Sequence, residues 1–109
     1  DLIVRKNNRK KVILPESDDV IYELLAPGIN DNFEFAIMNI SPNTSSSNGN
    51  IHHNGYELAY VLEGEATLYL DDEKFILNKE DSVKISAGIS HHWENNSDKY
   101  VKVLFAVIL

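Results

Sequence analysis

The chain reads as an all-β protein, a sandwich or barrel of about eight to ten short antiparallel strands. Three observations predict this. Strand-like runs recur at short intervals, each broken by turn residues. Within several runs polar and apolar residues alternate with a period of two. No segment sustains a helical apolar period flanked by caps.

Taken in order, "KKVILP" closes at Pro15, and "DVIYELLAPG" closes at the turn signal Pro27-Gly28. In "FEFAIMNISP", Phe33, Phe35 and Ile37 alternate with Glu34, Ala36 and Met38, which suits a half-buried strand. The small polar run "NTSSSNGN", residues 43 to 50, is the most loop-like segment. "YELAYVLEG" follows. "ATLYL" and "KFIL" then form a hairpin about Asp71-Asp72, and "DSVKISAG" and "YVKVLFAVIL" complete the set. No linker divides the chain, so residues 1–109 are expected to form one domain. A chain of this length can bury a sizeable core unaided.

Composition narrows the function classes. There is no cysteine, hence no disulfide framework and no thiolate metal site, which favours a cytoplasmic setting. No run of apolar residues is long enough to span a membrane, and no signal peptide is recognisable. The net charge of -7 argues against a domain that grips nucleic acid through phosphates. The local exception, "RKNNRKK" at residues 5 to 11, reads first as a solvated turn beside a strand.

The four histidines fall as two adjacent pairs, His52-His53 and His91-His92. Strand parity places His53, Gly55 and Glu57 on one face, and His91, Trp93 and Asn95 on one face, with His92 and Glu94 opposite. His53, Glu57 and His91 can therefore converge inside a barrel. Two imidazoles and a carboxylate suit Fe(II), and also Zn, Ni or Mn. A bulge at Gly55 would bring His52 inward in place of His53. Phe35, Ile37, Ala59 and Val61 are expected to line the cavity, with Trp93 and Asn95 at one end. A mostly apolar pocket with few polar groups is the usual form of a small-ligand site.

The run "HHNGYELAYVLEGEATLYLDDEKFILNKEDSVKISAGISHHWEN" resembles a cupin domain. Its first motif is written G-x5-H-x-H-x3,4-E-x6-G. Glu57 and Gly64 stand at the right separation, and His53 or His52 fits the second histidine, depending on the gap. The second motif is G-x5-P-x-G-x2-H-x3-N, and Gly88, His91 and Asn95 occupy its last three fixed positions. The resemblance implies a double-stranded β-helix, or jelly-roll barrel, with a metal held by His53 or His52, Glu57 and His91. The departures are specific. The first motif histidine falls on Ile51 or Asn50, the opening glycine is absent, Glu80 replaces glycine and Ser86 replaces proline. A metal-free pocket for a small molecule therefore stands beside a metal site.

The N-terminal third, "VRKNNRKKVILPESDDVIYELLAPGINDNFEFAIMNISP", is similar to the opening of the cupin sensor half of bacterial transcription regulators. In those proteins a lambda-repressor-type helix-turn-helix domain precedes the cupin. The resemblance implies that residues 1–109, which start at Asp1, are the C-terminal part of a longer chain. DNA would then be reached only through the upstream domain, and "RKNNRKK" would be the exit from the linker. A small-molecule effector and a homodimer are the expected partners, because "YVKVLFAVIL" is apolar on both faces and needs cover on both. A small metal-dependent cupin enzyme (a dioxygenase, oxidase or isomerase) is the alternative.

Overall fold

The computed structural model describes residues 2–14, 17–26, 32–45 and 55–108. Ten strands run through them: β1 (Lys11–Leu14), β2 (Ser17–Leu24), β3 (Phe33–Ile40), β4 (Thr44–Ser45), β5 (Tyr56–Glu63), β6 (Ala66–Leu70), β7 (Glu73–Leu77), β8 (Ser82–Ile85), β9 (His91–Asn95) and β10 (Val101–Ile108). They form a six-stranded sheet in the order β1-β2-β3-β10-β5-β8 and a four-stranded sheet in the order β4-β9-β6-β7. Every pairing is antiparallel. This is the jelly-roll arrangement expected, and the all-β reading holds. No helix among the described residues is long and apolar enough to cross a membrane.

Period-two alternation decides what lies inside. In β5, Glu57, Ala59 and Val61 are buried while Tyr56, Leu58 and Tyr60 are exposed. In β9, His91, Trp93 and Asn95 are buried. The two inner faces meet in one apolar core. Val20, Met38, Ile40, Val61, Val101 and Val103 come from the larger sheet, and Ala66, Leu68, Leu77 and Trp93 from the smaller.

The turns carry the chemistry expected of them. Leu70 pairs with Glu73, leaving Asp71-Asp72 as a two-residue loop. Asp71 has φ 52°, the positive value that tight hairpins require. Between β5 and β6, Gly64 has φ 85°, and a Cβ there would lie 2.8 Å from the Tyr100 carbonyl oxygen and 2.9 Å from Val101 Cγ2. Both the conformation and the space exclude a side chain. Gly64→Ala is expected to cost about 2–3 kcal/mol of stability in urea melts.

One strand was not anticipated. Thr44–Ser45, within the run read as loop, pairs with Asn95 and Glu94 as the edge of the smaller sheet. The basic segment resolves differently along its length. Lys6–Asn8 form a single 3-10 turn, and Arg9 returns to β2, where Nη1 lies 3.5 Å from Glu23 Oε1. Asn39 Nδ2 donates to Glu23 Oε2 at 2.9 Å and to the Ile21 carbonyl at 3.1 Å.

The Asn39 bond, with help from Arg9 and Lys102 and against the pull of burial, lowers the pKa of Glu23 below its ordinary value. A depressed carboxyl pKa contributes stability that is present above the unfolded pKa and lost as pH falls through the folded one. Glu23→Gln should therefore cost about 1 kcal/mol at neutral pH and almost nothing once the wild-type carboxyl is protonated. Urea melts at the two pH values check this; an equal cost at both would reject it.

Candidate functional site

Glu57 is the second residue of β5, paired with Val107 of β10 and Ile85 of β8. His91 opens β9, paired with Leu70. The two residues thus come from opposite sheets. Each faces inward near one end of the barrel and is buried, at 5% and 4% exposure. His91 Nε2 lies 3.4 Å from Glu57 Oε1. On the other side of the ring, Nδ1 lies 3.3 Å from the Ile89 carbonyl oxygen.

A carbonyl can only accept, so Nδ1 carries the proton of that bond. That leaves Nε2 as the nitrogen aimed at the carboxylate. Two lone pairs facing one another need something positive between them: a proton on Nε2 or a cation. Burial is the largest single influence on His91 and lowers its pKa. The Glu57 hydrogen bond, the Glu57 charge and the Ile89 carbonyl together outweigh it, so the pKa of His91 is raised.

The same geometry is compatible with a metal. Ligand bonds of about 2.0–2.2 Å place neighbouring donor atoms on one ion about 3 Å apart. A histidine whose far nitrogen is held by a carbonyl is also the usual form of an imidazole ligand. Among the described residues no group of three metal-ligating side chains is present. His52 and His53, the expected third donor in either form, lie outside the described residues, as do Ile51 and Asn50.

The remaining candidate residues divide. Ala59 and Val61 face inward beyond Glu57 but are packed in the core at 4% and 0% exposure. Trp93, the next inward residue after His91, sits opposite Leu68 and is equally core. Two expectations are corrected. Phe35 and Ile37 do not line the interior, because Phe35 is level with Ala106 and Ile37 with Leu104, on the outer face of the six-stranded sheet. The buried inward residues of β3 are Ala36, Met38 and Ile40; Glu34, level with Val107, shares their parity at the exposed end of the strand. Asn95 faces inward at 0% exposure, but both its amide hydrogens and its oxygen are committed to the chain. Nδ2 donates to the carbonyls of Ile40 and Lys99, and Oδ1 accepts from Ser97.

His92 takes the outer face. Its ring stacks on Tyr69 at 4.5 Å, and Nε2 is 3.1 Å from Glu94 Oε2. Two inward aromatics escaped the sequence reading. Phe105, one inward step from Val107, meets Tyr22 edge to face with centroids 6.0 Å apart. In β10 both parities are apolar, so alternation gave no signal for Phe105. Among the described residues, the strand register turns no lysine or arginine inward.

Comparison with known proteins agrees with this architecture. An uncharacterised protein of Methanocaldococcus jannaschii, MJ1618, is 29% identical over 104 residues, covering 94% of this chain and 83% of that protein. The polyketide cyclase RemF of Streptomyces resistomycificus superposes with a TM-score of 0.81 at 22% identity, over 96% of this chain and 77% of its own. A predicted oxalate decarboxylase of Thermotoga maritima superposes with a TM-score of 0.80, also at 22% identity, over 99% of each chain. At these identities the structural likeness is one of fold. Residues 36–107 match the family described as Cupin domain, from the middle of β3 almost to the end of β10. The chain belongs to the cupin family.

Proposed function

We propose that this cupin domain binds a small molecule at the Glu57–His91 end of its barrel, with or without a divalent metal. We further propose that it serves as the cytoplasmic sensing half of a bacterial transcription regulator. The observation that carries the binding reading is the Glu57–His91 pair itself: two buried polar side chains, from opposite sheets, inside an otherwise apolar barrel. An apolar cavity with few polar groups is what a small-ligand site needs. The other buried polar side chains among the described residues are Thr67 and Asn95. Asn95 is fully engaged with the chain, and Thr67 lies level with Glu94, away from the inner face.

The same inward census favours a neutral or cationic ligand over a phosphorylated or carboxylated one. With no inward lysine or arginine on the described strands, an anion would meet Glu57 without a compensating charge. The sensor reading rests on the N-terminal resemblance and on Ile51, which stands where a cupin metal site places imidazole. Ligand occupancy would act by differential affinity for two arrangements of the upstream DNA-binding domains. The reading frame upstream of Asp1 tests this part directly. A helix-turn-helix encoded in the same frame is expected, and a start codon within a few residues of Asp1 would sink it.

A second reading, a metal-dependent enzyme, is favoured by the donor set. Glu57 and His91 would hold a divalent ion, with His53 or His52 as the third donor. Such an ion supplies Lewis-acid polarisation of a bound oxygen. Metal content decides between a metal-bearing and a metal-free barrel. Protein purified aerobically and anaerobically with less than about a tenth of an equivalent of Fe, Zn, Ni or Mn would exclude the enzyme reading, because a structural or catalytic site holds its ion stoichiometrically.

A further inference from the structure

We infer that the barrel interior takes a quaternary ammonium ligand, its cationic head held in a corner between Tyr22 and Phe105. The inference rests on the small-molecule reading above and names the chemistry of what binds.

Access is the first argument. The inward residues of β10 are Val101, Val103, Phe105 and Val107. The three valines are sealed in the core, and Phe105, between two of them, is only partly buried. The other apolar side chains that pack on the core and keep some exposure are Tyr22, Leu70, Val83 and Ile89. Phe105 and Val83 are both level with Ala59, and Leu70 is level with His91. The interior is therefore least filled beside Phe105, one step deeper than Glu57.

The rings are the second argument. Phe105 has an alanine beside it on each neighbouring strand, Ala36 on β3 and Ala59 on β5. Strand β2 lies beyond Ala36, and Tyr22 of β2 meets Phe105 across that small residue. The ring centroids are 6.0 Å apart and the planes stand at 85°. Two rings at right angles make a corner. A cation about 4–5 Å from each ring centre would leave those centres about 6 Å apart.

Charge is the third. Glu34 of β3 and Glu57 of β5 are both level with Val107. Glu73 of β7 is level with Leu70, and so with His91. These three carboxylates share the inner parity at one end of the barrel, Glu57 buried and the other two exposed. The inner parity of the described strands holds no lysine or arginine to balance them. A cation is drawn to this end and an anion is repelled.

Hydrogen bonding selects among cations. A primary ammonium carries three N–H donors, and each needs an acceptor once it leaves water. The side chains around the ring pair are mostly aliphatic, and the buried carboxylate already faces His91 Nε2. A quaternary head has no donor to satisfy, and ring faces stabilise it directly.

Calorimetric titration of the protein as purified tests this, with choline as the probe. Neohexyl alcohol, in which carbon replaces the nitrogen, is the uncharged control, and ethanolamine is the primary-amine control. Choline is expected to bind about tenfold or more tightly than either, and to shift the Tyr22 and Phe105 ring resonances in nuclear magnetic resonance spectra. Phe105→Leu and Tyr22→Leu should each cut the preference for choline over the alcohol by about fivefold or more, and Tyr22→Phe, which keeps the ring, should retain it. Two ring variants guard against one failing to fold. A purely structural role would weaken both ligands alike and leave the preference unchanged, which overturns the inference. Choline binding that bypasses both rings also overturns it. If the alcohol moves the ring resonances and choline binds no better, the small-molecule reading stands and the cation inference alone falls. Silence from all three compounds at about 10 mM removes both.

Discussion

Asn95→Ala is expected to lower the stability of the fold by about 3 kcal/mol, and so to lower Tm by roughly 10–20 °C. The side chain is fully buried. Its Nδ2 donates to the Ile40 carbonyl at 3.0 Å and to the Lys99 carbonyl at 2.6 Å. Its Oδ1 accepts from Ser97 N at 3.0 Å and from Ser97 Oγ at 2.6 Å. One amide thus ties the end of β9 to the end of β3 and to the loop that leads into β10. Each bond contributes only about 1 kcal/mol net, but truncation also strands the Ile40 carbonyl in the interior, at a further cost of about 1–3 kcal/mol. Asn95→Asp is expected to do no better, because a carboxylate has nothing to donate to two carbonyls. A cost below about 1 kcal/mol for the alanine variant would mean that the loop rearranges to satisfy itself. The motif position that pairs a histidine with an asparagine four residues on is therefore half chemistry and half scaffold in this chain. His91 faces the site, and Asn95 holds the strand that presents it.

How much of this was legible beforehand depended on whether a strand held a residue that fixed its inner parity. In β5 and β9 the donors Glu57 and His91 did so: counting by two from them gives the inward sets Glu57/Ala59/Val61 and His91/Trp93/Asn95, although Tyr56, Leu58 and Tyr60 on the outer face of β5 are apolar as well. β3 has no such marker. Phe33, Phe35 and Ile37 on one parity compete with Ala36, Met38 and Ile40 on the other, and the larger side chains were placed inside. The outer face of this sheet is itself apolar, so hydrophobicity could not say which side was core. β10 fails for the same reason, which is why Phe105 went unnoticed. The pairing of Glu57 with His91 is a different case. They lie on separate sheets with no ladder between them; strand parity allowed the two to converge inside a barrel, and the resemblance to the cupin motifs tied them to one site. Asn95 was misread because residue type reveals that an amide is polar, but not that Ile40, Ser97 and Lys99 will use all of it.

Glu57→Gln is expected to lower the pKa of His91, to remove about 2 kcal/mol of stability near pH 6, and to weaken divalent-metal binding. The substitution keeps the shape of the side chain and removes its charge. The pKa of His91 is raised because the Glu57 bond and charge, with the Ile89 carbonyl, overcome the opposing effect of burial. Without the charge, burial prevails and the imidazole is neutral at lower pH. A raised histidine pKa contributes stability that is fully present below the unfolded value near 6.5, and that is lost as pH rises through the folded value. The cost of Glu57→Gln in metal-free protein should therefore be largest on the acid side of neutrality and should shrink at alkaline pH, as the wild-type imidazole loses its proton as well. Nuclear magnetic resonance titration of the ring protons reads the pKa, and urea melts at the two pH values read the stability. Titration with Mn²⁺ or Zn²⁺ as the probe ion completes the comparison. Removing an outer partner of a metal ligand costs roughly 10–100-fold in affinity, and losing a ligand itself should cost more. If Glu57→Gln shifts the His91 titration and leaves ion affinity unchanged, the pair is a buried ion pair inside a metal-free barrel. If both move together, the carboxylate and the imidazole hold one cation between them.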